Sequence, residues 1–168
     1  MQDEKAFIQR LISICQVLNN RNVQYLVVGG AAVSAHGFYR PTTDREGNVL
    51  DKPDFDFWFN PHYLNYRKLL NAFEDIGFDV VRFKEEEHPF PKSSFFRFKP
   101  EAYTLDFLPK IGGGLSFSNC YPRRAVSVIE GTEVSVIGID DLLISKKATG
   151  RKKDLEDIRF LEEKRKGI

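Results

Sequence analysis

Apolar residues recur at intervals of three and four positions in several stretches of the chain, a spacing that places them on one face of a helix. In the first of these stretches, Phe7, Leu11 and Leu18 belong to that face. Asn60 followed by a proline predicts a capped helix start, and Gly77 predicts the end of that helix. The sequence therefore predicts helices over 4–18, 31–36, 61–76, 141–149 and 154–164, with Asp140 and Asp154 as N-caps of the last two.

Between these helices, apolar and polar residues alternate, or form short β-branched and aromatic runs, as they do in strands. The predicted strands are 24–28, 55–59, 78–83, 95–98, 103–108, 125–129 and 133–137. Strands and helices in this order predict an α/β (α+β) fold, in which helices flank a mixed sheet of five to seven strands. We expect one domain over 1–168, with an N-terminal helix at 4–18, a core at 24–137 and C-terminal helices within 141–164.

Composition narrows the functional classes. The chain has 25 lysines and arginines against 24 aspartates and glutamates, which disfavours a protein that coats nucleic acid or a membrane surface. No apolar run approaches the ~20 residues of a membrane span, so no membrane partner is expected. The two cysteines, Cys15 and Cys120, lie far apart and outside any metal-binding motif, which favours a cytoplasmic protein without structural zinc.

A glycine pair and three aspartates form the most informative pattern. Gly29 and Gly30 end a predicted buried strand, where glycines let the backbone and the start of the next helix approach a phosphate. Asp54 and Asp56 lie two apart on a strand and so point to the same face, where paired carboxylates favour Mg²⁺. If Asp106 lies on the neighbouring strand, the three carboxylates suit in-line displacement at phosphorus. We therefore predict Mg²⁺ as cofactor, with two ions expected and Mn²⁺ as the alternative.

The runs VVGGAAVSAHGF, PDFDFWF and TLDFLP resemble the nucleotidyltransferase superfamily, which has the polymerase-beta-like fold. The run VIGIDDLLISKKATGRKKDLEDIRFLE is similar to the closing segment of bacterial minimal nucleotidyltransferases and of abortive-infection-type nucleotidyltransferase toxins. The resemblance covers Gln24 to the end of the chain. It implies Mg²⁺-dependent transfer of a nucleoside monophosphate from a nucleoside triphosphate to a hydroxyl. The acceptor stays open between tRNA, a protein and a small molecule, and a cognate toxin or antitoxin is an implied partner.

The same resemblance assigns roles to residues. It implies that Asp54, Asp56 and Asp106 are the catalytic and metal-binding carboxylates, and that Gly29 and Gly30 bind the nucleotide phosphates. Lys146 falls where similar sequences place a lysine in the penultimate helix, which implies a nucleotide contact. Residues in the matching tail are Arg151, Asp154 and Asp157. For the basic run 151–153, a solvated helix start with Asp154 as its cap is the favoured alternative to phosphate binding.

One segment departs from the family pattern. Residues 45–53 look inserted between the glycine pair and the aspartate pair, where the rim of the site is expected. Asp44 and Asp51, at the edges of this segment, are secondary candidates for the site.

Three functional hypotheses follow from the sequence. The first is an active nucleotidyltransferase. The second is a catalytically silent protein that binds nucleotide or regulates a partner, as an antitoxin does, because a fold does not certify an activity. The third is a metal-dependent phosphodiesterase, which is disfavoured because no histidine-rich site accompanies the carboxylates.

Overall fold

Short runs of β-branched and aromatic residues form a six-stranded mixed sheet in the computed structural model, which describes residues 2–50 and 52–167. The sheet order is β3-β4-β2-β1-β6-β5. The strands are β1 (Tyr25–Val28), β2 (Asp54–Phe59), β3 (Phe96–Phe98), β4 (Thr104–Leu108), β5 (Ala125–Ile129) and β6 (Thr132–Val136). β2 runs parallel to β4 and antiparallel to β1, so the prediction of a mixed sheet is confirmed.

Helices flank this sheet, as predicted. They are α1 (Gln2–Asn20), α2 (Gly29–Ala35), α3 (Tyr63–Ile76), α4 (Val81–Lys84), α5 (Phe117–Cys120), α6 (Ile139–Thr149) and α7 (Asp154–Arg165), with short 3-10 helices at Pro91–Ser93 and Tyr121–Arg123. α1 contacts β6 and α3, whereas α7 packs on α6 and α6 contacts α2. Within residues 2–50 and 52–167, no helix is both long enough and apolar enough to cross a membrane.

The core surrounds the central strand β2. Phe55, Phe57, Trp58 and Phe59 of this strand are all buried. The Phe57 ring stacks on Phe107 of β4 with 5.0 Å between centroids, one of many aromatic contacts in the core. Because packing fixes β2 along most of its length, the polar residues at its start are held on a rigid element.

The predicted strand 78–83 is wrong. Residues 78–80 form no regular element, and α4 follows them. The Asp79 carboxylate accepts a hydrogen bond from the Val81 amide, which favours a turn. Phe83 packs its ring on Phe96, at 5.0 Å between centroids, so its apolar character reflects packing on the sheet rather than membership of it.

Three predicted N-caps are also wrong. α3 begins after His62, whose ring nitrogen accepts from the Leu64 amide, while Asn60, two residues earlier, accepts from the His62 amide. α6 has Gly138 as its N-cap, so Asp140 lies inside the first turn. Asp154 is the first residue of α7 rather than its cap. The end of α3 at Gly77, in the left-handed conformation, is as predicted.

Candidate functional site

The sheet register brings the predicted aspartates together. Asp56 on β2 lies opposite Val28 on one side and Asp106 on the other, and Asp106 in turn lies opposite Arg97 of β3. Asp54 pairs in register with Thr104, two positions before Asp106 on β4. The three carboxylates therefore occupy adjacent positions on two neighbouring parallel strands.

All three aspartates line one cavity of about 200 Å³. Its walls come from β2, β3 and β4, the start of α2, the loop after α2 and the segment between α6 and α7. The lining residues are Phe7, Gly30, Ala31, Ser34, Arg40, Thr42, Thr43, Asp54, Asp56, Arg97, Asp106, Lys146, Arg151 and Lys153. Acidic side chains on the sheet thus face basic side chains from the loops and helices.

The glycine pair has two different roles in this geometry. Gly30 lines the cavity, and its contact with a phosphate stays a prediction. Gly29 adopts the left-handed conformation (φ +63°), and a Cβ atom on it would lie 2.5 Å from Oδ2 of Asp56. Gly29 is therefore required because Asp56 packs against its backbone, a requirement that the sequence pattern alone did not reveal.

Charge repulsion is concentrated on β2. Burial, followed by the negative charges of Asp106 and Asp54, raises the pKa of Asp56 to about 6. Burial also raises the pKa of Asp54, with a contribution from Asp106. A bound cation would therefore offset the free-energy cost of ionising both carboxylates.

Arg97 holds the third carboxylate. Its Nε and Nη2 atoms each donate to one oxygen of Asp106, both at 2.8 Å. The guanidinium also lies over the Phe95 ring, 5.2 Å from its centroid. Both oxygens of Asp106 thus have a charged partner. The antiparallel β3–β4 register creates this pair, which the strand predictions alone could not reveal.

Comparison with known proteins finds solved structures with a similar fold. No family model matches the chain, and no curated protein matches it. Among solved structures, the chain is similar to the lincosamide antibiotic adenylyltransferase LnuA bound to lincomycin (19% identity, 96% of each chain, TM-score 0.55). It is also similar to TM1012 of Thermotoga maritima, a proposed nucleotidyltransferase (14% identity, 95% of this chain and 94% of that one, TM-score 0.57). A nucleotidyltransferase-like protein of Paracoccidioides brasiliensis matches over 92% of this chain and 74% of that one, at 14% identity and TM-score 0.54.

The chain has the nucleotidyltransferase fold. The resemblance noted in its motifs is confirmed at this level, whereas nothing in these comparisons distinguishes the toxin type. Identities this low establish architecture, so the chemistry of this nucleotidyltransferase fold has to be argued from its own side chains.

A buried ion network supports the basic side of the cavity. Lys146 donates to Asp154 (3.1 Å) and Asp157 (2.9 Å), and neither carboxylate has any exposed surface. Arg40 donates to both oxygens of Asp157, at 2.7 and 2.6 Å, and Arg151 donates to Asp154 at 3.0 Å. Burial acts to raise the pKa of Asp157, but the hydrogen bonds and charges of Arg40 and Lys146 outweigh it and hold that pKa below its usual value. The network joins α6, α7 and the loop after α2 at the cavity wall.

The contacts of Lys146 give it a structural role that the sequence did not predict. Its side chain lines the cavity, yet its ammonium is already bonded to two buried carboxylates. A direct nucleotide contact by Lys146 stays a prediction. What the structure shows is a lysine that fixes α7 and its neighbouring cations against the site.

Lys153 is the second residue of the basic run 151–153, after Arg151, that lines the cavity. It lines the cavity and, within the described part of the chain, has no carboxylate within ion-pair distance. Burial, followed by the nearby charges of Arg151, Arg40 and Lys146, lowers its pKa. An unpaired ammonium beside three other cations is suited to a polyanionic ligand. The sequence signal was the basic run 151–153, for which a solvated helix start had been favoured.

The donor set fits a divalent metal on β2. Asp54 and Asp56 offer hard oxygen ligands to one cavity, and burial first, then neighbouring negative charge, raises the pKa of each, both of which a bound cation would offset. Within residues 2–50 and 52–167, no three acidic, histidine or cysteine side chains form a ready-made metal cluster. A metal at Asp54 and Asp56 would thus complete its shell with water and substrate oxygens, and a second ion at Asp106 would need Arg97 to withdraw.

The inserted segment folds as a small hairpin. Its Thr43–Val49 bridge is closed by Asp44, whose carboxylate accepts from the Glu46 and Asn48 amides at 2.8 and 2.9 Å. Asp44 is therefore a structural residue of the hairpin, and it does not line the cavity. The other secondary candidate, Asp51, lies outside the described residues.

Proposed function

We propose that the chain is a nucleotidyltransferase that moves a nucleoside monophosphate from a Mg²⁺-bound nucleoside triphosphate to a hydroxyl. One observation carries the proposal: three carboxylates on adjacent strands and five cationic side chains line the same small cavity. Carboxylates there suit a metal and an attacking hydroxyl, and cations suit the triphosphate. The fold is consistent with this reaction and does not by itself establish it.

Each part of the cavity has a distinct task in the proposed reaction. Asp54 and Asp56 would hold Mg²⁺, which when bound supplies charge neutralisation and orients the phosphate oxygens. Gly30 and Lys153 would contact the triphosphate, while Arg40 and Arg151 add positive charge from the ion network. The acceptor oxygen forms the new bond to the α-phosphorus, the bond to the pyrophosphate oxygen breaks, and the hydroxyl proton passes to Asp106.

Arg97 competes with an acceptor hydroxyl for Asp106. Each oxygen of Asp106 accepts one hydrogen bond from Arg97, so the lone pairs on the guanidinium side are engaged and only the others are open to a hydroxyl. The β and γ phosphates present a stronger anion within reach of an arginine that is half exposed. We propose that Arg97 transfers from Asp106 to the bound substrate.

We also propose a class of acceptor molecule. The structure of LnuA contains lincomycin, a small molecule, and LnuA is an antibiotic adenylyltransferase. A tRNA or a protein acceptor, and a cognate toxin or antitoxin partner in the cytoplasm, are the other options that the motif resemblance implies. We favour a small molecule because the net charge of +1 gives the chain no overall electrostatic attraction for long nucleic acids.

A catalytically silent nucleotide-binding protein is the second candidate. The specific observation in its favour is the Arg97–Asp106 pair, which occupies the third carboxylate. Both candidate functions include nucleotide binding, but only the first includes transfer of the nucleotide to an acceptor.

The test is transfer of label from each α-³²P nucleoside triphosphate, with Mg²⁺, to tRNA, to a protein extract and to lincomycin in separate reactions. We expect transfer to one acceptor class by the wild type and by Asp140→Asn, an exposed control aspartate in α6. Asp106→Asn is expected to lose it by about 100-fold or more. Nucleotide binding without transfer to any class would favour the silent candidate, and equal transfer by Asp106→Asn would contradict the assigned base.

A further inference from the structure

A second and larger cavity adjoins the first. It has a volume of about 650 Å³ and lies between α1, the loop after α2, the inserted hairpin and the turn before β4. Phe7, Arg40 and Thr42 line both cavities. Pro53 lines the larger one and the next residue, Asp54, lines the smaller one, so the two spaces meet at the start of β2.

The inserted hairpin supplies an apolar wall to the larger cavity. Val49 and Leu50 line it and are 66% and 41% exposed. The hairpin is anchored beside the site, because the Leu50 amide donates to the Thr42 carbonyl at 2.8 Å and the Thr42 hydroxyl accepts from the Asp54 amide at 3.2 Å. Two apolar side chains are thus presented to a space that no side chain of the described chain fills.

The opposite wall is also largely apolar and is rigid. Phe7 stacks on Phe55 of β2 at 4.7 Å between centroids and meets the Tyr39 ring edge to face at 5.6 Å. Ala6 and Ala102 add small surfaces. The two arginines of the cavity are engaged, Arg40 with Asp157 and Arg10 over the Tyr103 ring at 4.6 Å. Asp3 also lines the cavity, which therefore combines apolar surface with a few polar and charged groups.

We infer that this cavity is the acceptor site, and that the acceptor is a small, partly apolar molecule carrying a hydroxyl. The inference rests on the proposed function. A volume of this order is that of sites for drug-sized ligands, which are mostly apolar with a few polar groups. A ligand seated there would direct its hydroxyl past Thr42 towards the cavity that holds Asp54. The inserted hairpin, absent from the usual family pattern, would then determine which acceptor fits.

The test uses substitutions that fill the larger cavity and leave the residues of the nucleotide site unchanged. Ala6→Trp and Ala102→Trp each place an indole in the larger cavity from an exposed position, and Lys5→Trp adds the same group to α1 outside it. A library of drug-sized alcohols is screened by saturation-transfer NMR against the wild type and the three variants. Mg²⁺-ATP binding to each protein is measured by calorimetry, which also reports correct folding.

The inference predicts alcohols that bind the wild type and Lys5→Trp, bind Ala6→Trp and Ala102→Trp about tenfold more weakly, and are not displaced by Mg²⁺-ATP. Label from ATP should then appear on those alcohols. The inference is overturned if no alcohol distinguishes the filled variants, if the alcohols compete with ATP, or if label passes only to tRNA or protein. Failure of the wild type to bind Mg²⁺-ATP, with alcohols still bound, would instead refute the proposed function and leave the cavity as a small-molecule site.

Discussion

The backbone of Gly29 packs directly against the carboxylate of Asp56, because a Cβ atom at Gly29 would lie 2.5 Å from Oδ2 of that aspartate. The contact joins the turn between β1 and α2 to the central strand β2. It couples the conformation of the glycine pair to the position of a predicted metal ligand.

Gly29→Ala is therefore expected to displace Asp56. Its φ of +63° costs an alanine about 1–2 kcal/mol, and the contact adds to this. Gly114→Ala is the matched control, since its φ is +66° and no atom lies within 4 Å of the added methyl group. Denaturation should show a loss of stability in both variants, while calorimetry should show a loss of Mg²⁺-nucleotide affinity only in Gly29→Ala. Equal affinity in the two variants would contradict the coupling.

Lys146→Met tests the buried ion network. It leaves Asp154 and Asp157 buried with fewer partners, so we expect the free energy of unfolding to fall by about 3–5 kcal/mol. Lys147→Met removes only the surface pair with Glu162 and should cost less than about 1 kcal/mol. Urea denaturation of both variants measures the difference. Similar costs would show that the network contributes no more than a surface ion pair.

Asp56→Asn should stabilise the nucleotide-free protein in a pH-dependent way. The folded-state pKa of Asp56, about 6, lies above its unfolded value near 3.9, so ionising the carboxyl between these values weakens the folded state. Asp56→Asn cannot ionise at this position and so does not lose this stability. Its advantage over the wild type should grow from pH 4 to pH 6 and then level off at about 1–2 kcal/mol, less than the full shift implies because the side chain is partly exposed. Thermal denaturation across that range measures the advantage, and a pH-independent difference would contradict the assigned pKa.

Lys153→Met should weaken Mg²⁺-ATP binding by about tenfold, because it removes the one cavity cation that has no carboxylate partner in the described part of the chain. Lys152→Met is the control, since its side chain is exposed and does not line the cavity. Calorimetric titration of both variants distinguishes a phosphate ligand from a general effect of positive charge. Equal losses would favour the solvated helix start over a phosphate contact.

Much of the site could be predicted from local spacing. Asp54 and Asp56 share a face because strand residues two apart do, and both line the cavity as expected. The Gly29–Asp56 contact could not be predicted, because it depends on the antiparallel register of β1 and β2. The same limit applies to Lys146, whose carboxylate partners come 8 and 11 residues later and meet it only when α7 packs on α6.

The errors in the fold have a similar origin. Residues 78–83 carry an alternating pattern that fits a strand, but the Asp79 carboxylate closes a turn and Phe83 packs from outside the sheet. Asn60 and Asp140 have good capping side chains, yet the helices start at positions set by neighbouring backbone geometry. Local propensity identified most elements, and tertiary contacts decided their limits.

Calorimetric titration of Mg²⁺-bound ATP, GTP, CTP and UTP determines whether the cavity is a metal-nucleotide site, with wild type, Asp54→Asn/Asp56→Asn and Asp140→Asn as the three proteins. We expect at least one nucleotide to bind the wild type and the Asp140→Asn control only when Mg²⁺ is present, and we expect the double variant to lose this binding. Absence of binding to the folded wild type, or binding that the double variant retains, would contradict the assignment of this cavity as a metal-nucleotide site.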